Sequence, residues 1–456
     1  MNERTCSAKL AEWITNTSTT DLPKYVHDAV EFTVIDTVAL TIAALETDYG
    51  VAIRQAFDSR GSCTVWGCGS NFDMASAAVI NGTCGHGEDY DNTYEGCPMH
   101  SGVVIVPAIF AAGEALALRN SDVIKGLAIG IEVANRLGLV AGKSVHKAGF
   151  HPTAILGTTA AAAGVAAACG QSAQQIKNTL GIAGSLASGI IEYLADGSWT
   201  KRLHAGWAAQ SGIRAAQMGA AGFTGPETVF EGVHGLYAAF APSLTPDFDL
   251  LCNQLGSDWQ SANVAFKPYA CGTMTQPYVD CAIQLRNRGI AAKDIVSMVC
   301  EVGEGTVHRL WEPLPLKQSP PTAYAAKFST PYTIAAGLLH GDVGLAQFTD
   351  EAVSDPDALT LAAKVNYVID PNNDYPKNYS GHIRAVLTDG SVIEEHQPHL
   401  RGGSKQRLTR EEIVRKAEAN LAFCGKGKNA VDALQELASQ MITYPDKPFC
   451  LSTFVA

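Results

Sequence analysis

The sequence predicts a mainly α protein: a large all-helical domain built from both chain ends, with a smaller α+β domain inserted between them. Three observations carry this. Apolar residues recur at helical spacing from the N-terminus to about residue 265, the texture then changes to β-branched runs, and the helical pattern returns after Leu400. The expected division is 1–266 with 400–456 for the helical domain and 267–399 for the α+β domain. A chain of 456 residues is also too long for one ordinary domain.

The elements follow in order. Val30, Val34, Val38 and Ile42, spaced by fours after Asp21-Leu22-Pro23, predict a helix with a start signal. Further helices are expected over 74–80, 102–118, 123–139, 153–169, 173–190 and 205–221, and their Ala and Gly content points to helix packed closely on helix. Beyond Lys267, strands are expected over 295–302 and 364–369, and HIRAVLT-DG-SVIEEH reads as a hairpin turning at Asp389-Gly390. Helical stretches over 276–287, 332–339 and 355–363 interleave with them. Thr409-Arg410-Glu411-Glu412 is a capping box opening one last-segment helix, and 430–441 reads as another.

Composition excludes several function classes. The chain is 46% hydrophobic, 17% charged and carries a formal charge of -12 without any Lys/Arg-rich run, so nucleic acid is not an expected partner. An acidic protein that binds an anion must gather a few cations locally, which makes clustered Lys and Arg informative. The twelve cysteines are scattered, with no CxxC pair, so zinc and iron-sulfur frameworks are poorly supported and a reducing, cytoplasmic location is expected. The stretch MNERTCSAKLAEW has no apolar signal region, and the most apolar run, 154–169, is mostly Ala with interrupting Gly and Thr, so no membrane span is expected.

The densest polar stretch is HGEDYDNTYEGCPMH, residues 86–100, with two histidines, four carboxylates and a Thr where the helix expected to end near Ile80 gives way to Gly. It reads either as a solvated, helix-capping connection or as a site where His and Asp exchange protons with a substrate. Asp89, Asp91, Thr93 and Glu95 alternate like a calcium loop, but the sixth and twelfth positions are Tyr94 and His100 rather than Gly and Glu, and no metal is expected. His151, followed by Pro152, stands just ahead of an Ala-rich helix whose free N-H groups favour an anion; a core or capping histidine is the alternative. Lys201, Arg202 and His204 cluster before a small-residue helix, and cations have no dipole reason to sit at a helix start, so they read as a carboxylate clamp. Lys267, in KPYACG at the expected domain boundary, adds a cation or marks a hinge. Residues 138–144 end in Gly-Lys-Ser but are mis-spaced for a P-loop, and neither GxGxxG at a strand-to-helix junction nor GxSxG is present.

Together these segments resemble the MmgE/PrpD family, through HGEDYDNT with HSGVVIVPA, FHPTAILGT, DGSWTKRLHAGWAAQSG with GFTGPETVFEG, and FKPYACG in that order. The resemblance covers most of the chain. It implies a homodimer, an active site in the cleft between the two domains, and carbanion chemistry next to a carboxylate with no metal or organic cofactor. The implied substrate is a small polycarboxylate. By motif, Asp89, Thr93, His100, His151 and Lys201 would line the site from the first domain, and Lys267 and Tyr332 from the second. In this reading His100 is the general base or acid, with Asp89 and Thr93 setting its position or the substrate's, and His151 or Tyr332 manages the opposite transfer or the departing hydroxyl. Lys201 and Lys267, with Arg202 and His204 nearby, hold negative charge. A dehydratase of the 2-methylcitrate type is expected first; an iminodisuccinate-type epimerase, a cis-aconitate-type decarboxylase and a non-catalytic carboxylate binder are the alternatives. Two departures stand out: an extra residue between Thr93 and His100, and Gly272 where some decarboxylases of the family have a histidine.

Overall fold

The computed structural model describes residues 4–451; Met1 to Glu3 of the N-terminal stretch read above, and the last five residues, lie outside the described residues. The protein is mainly α, with 22 α-helices and only short sheets among the described residues. The chain divides into two compact units: Met1–Gly87, Asp91–Ala265 and Ile413–Ala456 form one, and Glu88–Tyr90 with Phe266–Glu412 form the other. Among the described residues no helix is long and apolar enough to cross a membrane.

In the first unit the Pro152–Ala168 helix is buried along its whole length, because Ala, Gly and Thr leave no polar face and allow neighbours on every side. It packs against the helices Gly102–Ala115, Asn120–Ala141, Ala173–Leu186 and Thr200–Ala220. Small residues let these backbones approach. A Cβ on Gly206 would lie 2.1 Å from the Val79 carbonyl oxygen, and one on Gly82 would lie 2.7 Å from the Cα of Gly206. We therefore expect Gly206→Ala to destabilise the protein by at least about 1–3 kcal/mol, since backbone must move. The check is the urea midpoint, which should fall; an unchanged midpoint contradicts the close-packing account.

Several helix boundaries differ from expectation: the helix expected over 173–190 ends at Leu186, the one expected over 102–118 at Ala115, and two further differences bear on the site. The helix expected over 74–80 runs Met74–Gly87, since Gly82 and Gly85 serve close packing against neighbours rather than a turn. The helix expected from 205 begins at Thr200, which puts Lys201, Arg202 and His204 inside its first turns instead of ahead of it. The stretch from His86 to His100 is also no solvated connection, for His86, Asp89, Asp91, Asn92, Thr93 and His100 are all buried.

The second unit holds a four-stranded sheet in the order Val365–Ile369, Ile295–Val302, Gly381–Leu387, Val392–Gln397, with the first pair parallel and the others antiparallel. The hairpin turns at Asp389-Gly390, where Gly390 takes the left-handed φ of 85° such a turn needs. An irregularity in pairing between Ile295 and Ser297 shifts the inward face, so that Ile295, Met298, Cys300 and Val302 are the buried residues of that strand. They pack with Leu285, Trp311 and Leu338 into this unit's core. The capping box forms as expected: Thr409 N-H donates to Glu412 Oε2 at 2.8 Å, and Glu412 N-H to Thr409 Oγ1 at 3.3 Å.

Candidate active site

Four histidines meet in the first unit because helix ends meet there. His86 sits in the last turn of Met74–Gly87, His100 two residues before Gly102–Ala115, His151 at the N-cap of Pro152–Ala168, and His204 in the second turn of Thr200–Ala220. Three helix N-termini thus share one region, and their N-H dipoles favour negative charge. Ring centroids lie 4.6 Å apart for His86 and His100, 5.6 Å for His86 and His151, and 5.3 Å for His151 and His204. All four are buried.

The group that organises them is Asp91, fully buried. Its Oδ2 lies 3.0 Å from the Nδ1 of His86 and 3.0 Å from the Nδ1 of His100. The Nδ1 of His100 also faces the Asn92 carbonyl at 2.9 Å. With acceptors on that side, each ring must carry its proton on Nδ1, which leaves Nε2 as the basic nitrogen. The main-chain N-H of His100 donates to Thr153 Oγ1 at 3.1 Å. Burial pushes the Asp91 carboxyl up, but attraction and hydrogen bonds from His100 and His86 prevail and hold it well below the usual carboxylate range.

Burial acts on the imidazoles in the opposite sense. It lowers His86 to about 4, against the partly compensating Asp91, and lowers His204 to about 4 with the help of the nearby His86 and Lys201 charges. His151 is pushed well below its ordinary value by burial first, then by His86 and Lys201. These rings are neutral at pH 7. A neutral imidazole can accept a substrate proton, and Lys201 supplies positive charge without a proton donor having to be charged.

Beneath the site a second buried pair fixes the loop: Lys416 Nζ lies 2.7 Å from Asp36 Oδ1, and Asp36 accepts the Asn92 N-H. Thr93 Oγ1 donates to the Met99 carbonyl at 3.2 Å, while its backbone pairs with Ala265. Between Thr93 and His100 the chain closes on itself, Tyr94 N-H donating to the Met99 carbonyl at 3.0 Å. Arg202, expected to bind substrate, donates from Nε to the Gly87 carbonyl at 3.0 Å and lies over the Tyr49 ring. It thereby anchors the last turn that carries His86.

In the second unit, Lys267 Nζ pairs with Asp89 Oδ1 at 3.1 Å and also donates to the Asp89 carbonyl. Asp89 has a φ of 52°, a strained value that Asp tolerates better than most residues. Within the first unit it is Asp91 that bonds His100, while Asp89 pairs with Lys267. Lys327 repeats the pattern one residue earlier, with Nζ 2.9 Å from Glu88 Oε2 and buried over the Phe348 ring. Tyr332 donates its hydroxyl to the Gln347 carbonyl at 2.6 Å, and burial pushes its pKa above the ordinary phenol value, making it a weaker acid. A phenol so held cannot deliver a proton until that bond opens. At Gly272 a Cβ would lie 3.2 Å from the Phe328 ring, so a larger side chain there has to displace Phe328.

Thr153, Glu88 and Lys327 were not singled out from sequence, while Asp91 entered only as a donor of the rejected calcium loop and His86 only as part of the polar stretch. The available signal was spacing: His86 and His100 flank Asp91 within one short stretch, and the carboxylate between two histidines is the natural bridge. His86, Asp91 and His100 are also the described residues whose ligand atoms, within 4.8 Å of one another, can hold a metal ion. Both Nδ1 atoms aim at the carboxylate itself, a geometry that protons already account for; a metal would have to break these bonds.

Fold and site define a mainly α protein with a buried acid-base histidine cluster at converging helix N-termini. The chain belongs to the MmgE/PrpD family: the MmgE/PrpD N-terminal domain matches residues 8–249 and the MmgE/PrpD C-terminal domain matches residues 269–441. It is similar to the cis-aconitate decarboxylase-like protein oryM of Aspergillus oryzae, 25% identical with 86% of each chain covered. The cis-aconitate decarboxylase of Aspergillus terreus is 26% identical, covering 90% of this chain and 88% of its own. That of Homo sapiens is 27% identical, covering 80% and 76%.

Proposed function

We propose that the protein is a cofactor-independent lyase that forms a carbanion next to a carboxylate of a small di- or tricarboxylate, with decarboxylation of the cis-aconitate kind as the leading outcome. The observation that carries this is the Asp91-centred cluster, in which His86 and His100 are both held as Nδ1-H tautomers by one carboxylate. The relatives' names move decarboxylation ahead of dehydration. Heterolysis of the bond to the departing carboxyl leaves an electron pair that delocalises toward a neighbouring carboxylate as enolate-like charge. Lys201 and the helix N-termini stabilise that charge, and a histidine adds a proton to carbon. His100 and His151 are the proposed proton carriers, Lys267 a proposed carboxylate ligand.

A 2-methylcitrate-type dehydratase is the second reading, favoured by Gly272, where some decarboxylases of the family have a histidine. The same site then abstracts the proton and expels hydroxide.

Proton NMR in deuterated water with cis-aconitate, citrate, 2-methylcitrate and iminodisuccinate separates the outcomes. We expect cis-aconitate to lose carbon dioxide and gain one deuteron on carbon, with turnover unaffected by EDTA. Loss of water from 2-methylcitrate instead supports the second reading, and exchange without net conversion supports an epimerase. If none of the four changes, the polycarboxylate reading fails.

A further inference from the structure

His204 is not needed for the Asp91 cluster, yet it is built into the same buried group. Its Nδ1 lies 3.1 Å from the Nδ1 of His151. Two imidazoles facing each other through the same nitrogen can bond only if one holds the proton and the other does not, so the pair is locked into opposite tautomers. The edge of Tyr193 packs on both rings, with centroids 6.0 Å from His151 and 5.8 Å from His204. His204 also lines a cavity of about 530 Å³, shared with Ser188, Gly189, Glu192, Tyr193 and Asp196.

Gly189 keeps the outer edge of His204 clear. A Cβ at this position would lie 3.2 Å from His204 Nε2 and 2.6 Å from Ala154 Cβ, and the φ of 149° is one that L side chains rarely adopt. The Gly189 carbonyl accepts the His151 N-H at 3.0 Å. One residue therefore fixes the backbone of His151 and leaves room beside the far nitrogen of His204, a residue that lines the cavity. His151 itself is sealed, being buried and stacked at 20° on His86.

We propose that His204 relays protons between His151 and water in this cavity, acting through His151 as a positioning residue that sets its tautomer. The proposal rests on the reading that His151 exchanges a proton with substrate. In the delivering direction His151 starts with its proton on Nε2 and His204 with its proton on Nδ1. His151 Nε2-H gives its proton to the substrate carbanion. His204 Nδ1-H passes its proton across the hydrogen bond to His151 Nδ1, and His204 Nε2 takes one from a cavity water, which leaves as hydroxide. While substrate fills the site, one proton enters His204 from the cavity as one leaves His151 for carbon, so the pair stays neutral through the step; the reset returns that proton, and over a full turnover the proton on carbon is made good by water of the emptied site. The reverse passage, a water proton entering at His151 Nε2 of the emptied site and another leaving His204 Nε2 to the cavity, restores the starting tautomers.

Two measurements on the full-length protein test this. Nitrogen-15 NMR of the histidine rings is expected to show His151 and His204 in opposite tautomers sharing one Nδ1 proton; two Nε2-H tautomers with no shared proton overturn the relay. In kinetics with whichever polycarboxylate is turned over, His204→Ala is expected to lower kcat at least about tenfold with KM little changed. Added imidazole, small enough for the cavity, should restore the rate in proportion to its concentration. A merely structural histidine gives a loss that imidazole does not restore, which overturns the relay, as does an unchanged kcat. His151→Gln separates the two readings. If it leaves turnover intact, or if no polycarboxylate reacts, the assignment of His151 fails, and the shared-proton spectrum alone then decides whether the tautomer pair exists.

Discussion

Asp91→Asn is expected to lower kcat by about 10²–10⁴-fold while the protein stays folded. Aspartate offers only acceptors, and one of its oxygens takes the Nδ1-H of both His86 and His100 at 3.0 Å. Asparagine keeps the size but replaces one acceptor by an NH2 donor. At least one ring then faces a donor with its Nδ1, and the cheapest response is to move its proton to Nε2, which removes the basic nitrogen from the site. The negative charge that stabilises an imidazolium during turnover is lost as well. Asp89→Asn is the informative control, because Asp89 pairs with Lys267; its effect should fall on KM more than on kcat. Wild-type kcat in Asp91→Asn would remove Asp91 from the centre of the mechanism.

The second large effect is on stability in acid. His86 and His204 titrate at about 4 when folded, and His151 lies well below its ordinary value, against about 6.5 in an unfolded chain. Between these values the unfolded chain binds protons that the folded one excludes. Stability is therefore fully present above about pH 6.5 and falls as the pH drops toward 4, by about 1.4 kcal/mol per pH unit for each histidine and roughly 4 for the three together. Asp91 does not contribute there, since its carboxyl is held low and its stabilising pairings fail only in stronger acid. Buried Asp36 and Glu132, raised by burial, have the opposite sign and soften the slope. Urea denaturation of wild type and His204→Gln across pH 7 to 4 isolates one histidine: the variant should lose stability less steeply, by about 1.4 kcal/mol per unit. Parallel curves would show that His204 is not held neutral by the fold.

The division between chain-level and three-dimensional information is physical. Periodicity is local, so the mainly α class, the helix Gln276–Asn287, the strand Ile295–Val302 and the hairpin at Asp389-Gly390 were all legible. Glycine is ambiguous at that level. Gly82 and Gly85 read as a helix end but prove to be contact points, a distinction made only by the chain packed against them. The candidate residues were legible as type and density: the stretch 86–100 stood out as the densest polar run, His151 as a histidine ahead of an Ala-rich helix, and Lys201 to His204 as a cation cluster. Which partner each would take was not. Asp89 and Asp91 are two residues apart and chemically identical, yet one bonds Lys267 and the other bridges His86 and His100. Sequence determined that this stretch is dense in groups able to exchange protons; tertiary structure decided their burial and wiring, because hydrogen bonds depend on ångström distances between residues that lie as far apart as His151 and His204 in the chain.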